Sequence, residues 1–274
     1  MSVADLLPPM SVENILLNLK QKMNTKGTWI TGCSLLSNGR MVLSCSSTST
    51  VSFISTEGVE LVQIGRDKIE SSTNDTVYIK DNNIIAVSSG SGINKCIVII
   101  DIESQNVMTT ISVDTYIYGM AVRGRTIYYC AGSKGLKMLN LSDESKSNVI
   151  NSNMKGVYYV ATSGEKLYYA NINTHTVTCC DLHGTTQWEF KDDRVLQCPF
   201  GVSVDNDGNV YTVGFYSNNV VVFSPDGQRH RQLLSSKDGL INPSVLDYDR
   251  STNRLLVVNN SSVAFLFDVT KGRL

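Results

Sequence analysis

Apolar and polar residues alternate along this chain in short runs, and the runs recur in a fixed order. The clearest unit is residues 201–214, Gly201–Val202–Ser203–Val204–Asp205–Asn206–Asp207–Gly208–Asn209–Val210–Tyr211–Thr212–Val213–Gly214. It overlays without a gap on Gly32–Cys33–Ser34–Leu35 through Gly39, Met41 and Cys45, and on Tyr158–Tyr159–Val160–Ala161 through Tyr169. One-residue gaps bring in Thr76 to Ile84 and Gly119 to Ile127, and a two-residue stretch in the turn brings in Val245 to Leu255. The anchors 32, 76, 119, 158, 201 and 245 are spaced by 44, 43, 39, 43 and 44 residues. Six units of this size cannot each bury a hydrophobic face alone, so they must pack on one another.

Each unit reads as four short strands. The first alternates, as in Cys33/Leu35 and Leu246/Tyr248, and runs into an Asn/Asp/Gly turn such as 206–209, residues that tolerate positive φ. The second is apolar throughout (Met41–Val42–Leu43, Ile84–Ile85–Ala86–Val87), which predicts a strand covered on both faces. The third ends in a hydrophobe and a small polar residue, as in Phe223–Ser224 and Phe267–Asp268. The fourth, as in 60–64 and 228–233, is more polar and suits an outer edge. Six four-stranded units without helical periodicity predict an all-β, six-bladed β-propeller of antiparallel blades.

The sixth unit runs out after its third strand, 263–268. Upstream of the first anchor, Ile15, Leu17, Leu19 and Met23 alternate with Leu16, Asn18, Lys20 and Lys22. The predicted domain is therefore 14–274, with residues 14–23 completing the last blade and 1–13 a loose lead-in. Leu and Lys also favour a helix over 11–22, but an unclosed ring would expose a long sheet edge.

Composition narrows the classes. No apolar run approaches the about 20 residues that span a bilayer, and no cationic cap precedes an apolar stretch near the start. The seven cysteines are irregularly spaced and include no Cys-x-x-Cys pair, so the expectation is reduced, buried thiols in a cytoplasmic protein without a zinc site. A net charge of −1 and a pI near 6.3 argue against a general nucleic-acid coat, DNA included.

The fifth unit carries a family resemblance. Pro199–Phe200–Gly201, then Asp205–Asn206–Asp207–Gly208–Asn209–Val210–Tyr211, then Asn218 to Phe223 and Asp226–Gly227, resembles the NHL repeat. Its pattern is a Pro-x-Gly start, an Asp-x-x-Gly-x-hydrophobic-Tyr turn and an Asp-Gly turn. The whole chain is similar to the C-terminal propeller of tripartite-motif proteins. The resemblance implies a six-bladed ring closed by its termini, serving as the substrate-recognition end of a ubiquitin ligase. The RING and B-box zinc spacings and the coiled-coil heptads of that group are missing here, so no ligase activity is expected of this chain. The family often carries Asp at the end of the second strand; here Cys45, Ser88, Ala131, Asn171, Gly214 and Asn259 stand there, which removes support for a shared ligand contact.

No catalytic or metal cluster is coded. His175 opens a third strand, His183 falls in a third-to-fourth-strand turn and His230 on an outer strand, spread over two blades away from the channel, whereas nucleophilic or metal sites need convergence. A calcium-dependent lactonase-like hydrolase would draw on Asp75, Asp114, Asn242 and Asp247, with Asp247 inside an inner strand; too few other oxygen ligands face it for a calcium cage. The expectation is no enzyme, no cofactor and no metal.

Chemistry concentrates instead on one loop face, formed by the loops from fourth to first and from second to third strands. Its aromatic members are Trp29, Tyr116, Tyr118, Tyr158, Phe200, Phe215 and Tyr216. Lys155 and Arg194 are candidate contacts among nine cations (with Lys26, Arg66, Lys68, Lys95, Lys134, Lys191 and Lys237). Seven acids balance them: Asp67, Glu70, Asp75, Asp114, Asp192, Asp193 and Asp238. Aromatic residues with balanced charge suit a protein or peptide ligand. Single-stranded RNA is the rival ligand, but it needs a more electropositive funnel. Arg123–Gly124–Arg125 and Arg229–His230–Arg231 map off this face, where solvated charge is the plain reading. Of the adjacent Phe215 and Tyr216, one is expected to face solvent.

Overall fold

The computed structural model describes residues 11–65, 68–69, 72–91 and 94–272. They form six antiparallel four-stranded sheets arranged as a ring, with no α-helix among the described residues. The inner strands are Ile30–Leu35, Thr73–Ile79, Met120–Arg123, Val157–Ser163, Pro199–Val204 and Pro243–Asp249, for blades 1 to 6 in chain order. Each abuts the next, and the blade 6 strand abuts that of blade 1.

The hydrophobic pattern explains the layering. Second strands such as Met41–Cys45 and Val210–Gly214 are buried along their whole length, because neighbouring blades cover both faces. Between blades lie Phe53, Tyr129, Tyr168, Tyr211, Phe223 and Phe265, all fully buried. Outer strands such as Thr186–Lys191 are mostly exposed and polar. The turn of the fifth unit shows how its motif works. The Asp205 carboxylate accepts from the amides of Asp207 (2.9 Å) and Asn209 (2.8 Å), the Asn209 side chain (2.8 Å) and the Tyr211 hydroxyl (3.1 Å). One side chain thus fixes a hairpin and orients the aromatic residue that follows it.

Ring closure is by the N-terminal strand, which completes blade 6 against the strand Ser261–Lys271. It runs Ile15–Thr28, five residues beyond the expected end at 23. The extra length pairs as far as Thr28 with Ser261, because the partner strand also continues past 263–268 in both directions. The expected inward row is broken at one point. Ile15 and Met23 are buried, but Leu19 is 57% exposed, next to a bulge between Leu19 and Gln21.

Order begins before this strand. Of the expected lead-in 1–13, residues 1–10 lie outside the described part, and Val12 is buried against blades 5 and 6. The basic run of blade 5 is exposed at Arg229 and His230 but also tied to the N-terminal segment: Arg231 donates to the carbonyls of Glu13 (3.1 Å) and Ile15, and Arg229 pairs with the Glu13 carboxylate (3.2 Å). The other run is likewise engaged, Arg123 by Glu165 and Arg125 by the Ser142 hydroxyl.

Candidate functional site

The inner strands carry a shared irregularity at their starts. In blades 1, 2, 4, 5 and 6 the pairing with the second strand slips there, between Ile30 and Gly32, Thr73 and Thr76, Val157 and Tyr159, Pro199 and Val202, and Pro243 and Val245. A bulge re-aims the side chains it contains. Tyr158 and Phe200 are among these unpaired residues, and both rings lie half-buried at the loop face.

There the rings join. Tyr116 meets Tyr118 at 5.0 Å between centroids, Tyr118 meets Tyr158 at 4.3 Å, and Tyr158 meets Phe200 at 6.1 Å. Phe200 meets Phe215 at 5.0 Å, and Phe215 meets Tyr216 at 5.3 Å. Six of the seven aromatic residues singled out in the sequence thus form one row across blades 3, 4 and 5. Phe215 is half-buried, whereas Tyr216 is 63% exposed, so it is the second of the adjacent pair that faces solvent. Tyr116 is anchored by its hydroxyl, which donates to Asn74 Oδ1 (2.9 Å). Burial, then the neighbouring Tyr158 and Tyr116, push the Tyr118 hydroxyl above its usual pKa.

Trp29 stands apart from the row, 58% exposed and at φ 60°. A relay of polar bonds connects the two. Trp29 N donates to Asn260 O (3.0 Å), Asn260 N to Asn242 O (3.0 Å), and Asn242 Nδ2 to Phe215 O (3.1 Å). Beside Asn242, Ile241 is 60% exposed. Sequence reasoning missed Ile241, since one apolar residue in a loop carries no signal until the fold sets it next to Asn242 of this relay.

Three of the eight described cations on this face are paired within the chain. Arg194 chelates Asp192 (3.0 and 2.7 Å), which draws the carboxyl down to about 2. Asp114 takes Lys134 and Lys137, both at 3.1 Å. Partial burial raises its pKa, but the two lysines outweigh this and hold it below the usual range. Lys26 pairs with Glu60 (2.7 Å). Lys155 is exposed in the loop leading to Tyr158. Arg66, Asp67 and Glu70 lie outside the described residues. Asp75 does not belong to the loop face: it is buried on the inner strand of blade 2.

Beneath the row the channel is shut. The Tyr159 hydroxyl donates across the ring to Thr31 O (2.7 Å). Gly32, Gly119 and Gly201 let inner strands touch: a Cβ on each would come within 2.5–2.8 Å of a neighbouring atom or closer, 2.4 Å from Tyr158 O at Gly119. Below this plug lies a cavity of about 350 Å³ that opens on the opposite face, by the first-to-second-strand turns. Asp75 and Asp247 line it. Asp75 accepts from the amides of Thr76 (2.8 Å) and Met120 (2.7 Å), and Asp247 from Leu35 N (2.8 Å), so each ties its blade to the next. Burial, above all, raises their carboxyls, Asp75 to about 8 and Asp247 to about 6, against the pull of those amides. Of the other calcium candidates, Asp114 and Asn242 lie elsewhere in the contacts given above. No group of three or more His, Cys, Asp or Glu converges on a metal position among the described residues.

Solved structures share this architecture. A protein of unknown function from Bacteroides thetaiotaomicron superposes with a TM-score of 0.75 at 13% identity, covering 94% of this chain and 76% of its own. The PQQ-bound aldose sugar dehydrogenase of Streptomyces coelicolor also gives 0.75, at 10% identity, covering 96% and 100%. At such identities the likeness extends to the fold alone. No protein-family model matches the chain, and no curated protein matches it.

Proposed function

We propose that this propeller is a non-catalytic interaction module whose aromatic face binds a protein or peptide. The observation that carries the reading is the row from Tyr116 to Tyr216, spanning three blades, with Ile241 and Trp29 exposed beyond its end. Aromatic anchors held by their neighbours lose little side-chain entropy on binding, which is why such residues dominate protein interfaces. The relay through Asn242 and Asn260 holds the loop backbones before any ligand arrives.

Single-stranded RNA would use the same rings but needs free cations beside them. Arg194, Lys134 and Lys26 pair with acids of this chain, and the arginine runs lie off this face, so five of its eight described cations stand outside the ion pairs. A face of mixed charge built on aromatic anchors favours protein over RNA. The NHL-like motif of the fifth repeat supports a narrower version, substrate recognition for a tripartite-motif ubiquitin ligase. The free cysteines fit a cytoplasmic setting.

The test is capture from cell lysate with and without RNase, using the native chain and its Trp29→Ala and Tyr216→Ala variants. Protein partners that survive RNase and disappear with the variants support the reading. Crosslinked RNA, with protein partners lost to RNase, would transfer the site to RNA.

A further inference from the structure

The channel cavity lies on the far side of the Tyr159 plug from the aromatic face, and its chemistry differs. Its volume of about 350 Å³ falls in the range of small-molecule sites, roughly 300–1,000 Å³. Its walls mix apolar and polar surface, with Val77, Val122, Val160, Val204 and Leu246 beside Ser34, Thr76 and Ser203. Its two carboxylates come from blades on either side of blade 1 and are near enough to act on one another electrostatically.

Neither carboxylate has a cationic partner among the ion pairs of the described residues. The nearest candidate at the mouth, Arg250, is committed to the carbonyls of Val204 (2.9 Å) and Thr162 (3.0 Å). Lys80 lies at the rim and Asp249 beside Arg250. A buried carboxylate without a countercharge is costly, and the cost falls when a cation sits against it.

The geometry points to a small organic ammonium ligand, its charged head at Asp75 and Asp247 and its hydrocarbon body along the valine walls. An anion would be repelled by the charge on Asp247, whereas a cation favours release of the proton that Asp75 holds below about 8. A divalent metal seeks about six or more oxygens, whereas three of the four carboxylate oxygens already accept backbone amides. An ammonium asks less, since its N–H groups are satisfied by the remaining lone pairs.

The test uses three size-matched probes, n-butylammonium, 1-butanol and butyrate, together with calcium, by calorimetry or ligand-observed NMR near neutral pH. Saturable binding of butylammonium alone is expected. Asp247→Asn keeps an acceptor for Leu35 N–H while removing the charge, and should weaken binding by about tenfold or more, in line with a lost charge-assisted hydrogen bond. Ala161→Leu should block the cavity without touching the charges. Tyr216→Ala should leave butylammonium binding intact, which separates this site from the aromatic face. Equal binding of butanol, no saturable binding of any probe, or an unchanged affinity in a folded Asp247→Asn would overturn the proposal. So would calcium binding that needs Asp247 without any binding of the amine.

Discussion

The hydroxyl of Tyr159, in blade 4, donates to the backbone carbonyl of Thr31, in blade 1, at 2.7 Å. In a ring of six blades these two are opposite, so the bond spans the channel and divides the molecule into an aromatic face and a blind pocket. Tyr159→Phe keeps the ring but leaves the Thr31 carbonyl without its donor. The expected loss is about 1–2 kcal/mol, seen as a lower urea midpoint with an unchanged slope. An unaltered midpoint would mean that packing alone closes the channel.

Closure of the ring depends on Ile15–Thr28, the one strand of blade 6 that comes from the other end of the chain. Deleting residues 1–23 removes Ile15 and Met23 from two inter-blade cores and leaves the edge of Ser261–Lys271 unpaired from Ala264 to Lys271. The melting temperature should fall sharply, with a tendency to associate through the freed edge. Retention of the full-length melting curve would refute the closure argument.

Much of this architecture is legible in the sequence, because period-two alternation and Asn/Asp/Gly turns act locally. Asp205 shows this well: every bond its carboxylate makes lies within six residues. Asp75 shows the limit. The bulge between Thr73 and Thr76 hides two residues of strand ahead of the aligned anchor, so a buried inner-strand carboxylate reads as a loop acid. Its partner Met120 belongs to another blade, and no local pattern encodes that contact. The same holds for the aromatic row. Its residue types are visible in the sequence, but their contact arises from the packing of three blades. The arginines of 229–231 were equally opaque, since their partners Glu13 and Ile15 are more than 200 residues away.

Two glycines of blade 3, one at the channel neck and one in a turn, differ sharply in what they tolerate. A Cβ at Gly119 would sit 2.4 Å from Tyr158 O and 2.7 Å from Tyr159 Cα, both backbone atoms that cannot swing aside. Gly119→Ala should cost roughly 1–3 kcal/mol or more through overpacking. It should also shift the Tyr118–Tyr158 contact and weaken any ligand of the aromatic face. Gly124, at φ +57° with nothing within 4 Å, provides the contrast. Gly124→Asn should be nearly neutral, since Asn adopts that backbone region readily. Equal effects of the two substitutions in chemical denaturation would contradict the close approach of blades 3 and 4.

The two channel acids give stability an inverted pH dependence. The folded-state pKa of Asp75 is raised to about 8 and that of Asp247 to about 6, from an ordinary value of 3.8. At pH below 3.8 folded and unfolded chains both hold these protons, and the two sites contribute no slope. Between 3.8 and 8 for Asp75, and up to 6 for Asp247, the folded chain retains a proton that the unfolded chain has released. Stability from these groups is therefore present at the acid end of the window and is lost as pH rises through it. The ion pair at Asp192 acts in the opposite sense, but only as pH falls from 3.8 toward about 2. Denaturation free energies should accordingly decline from about pH 5 to about pH 8. Asp75→Asn keeps one of the two amide acceptors and removes the titration. It should flatten the decline whatever its effect on absolute stability, and an identical slope in the variant would show that other groups govern this range.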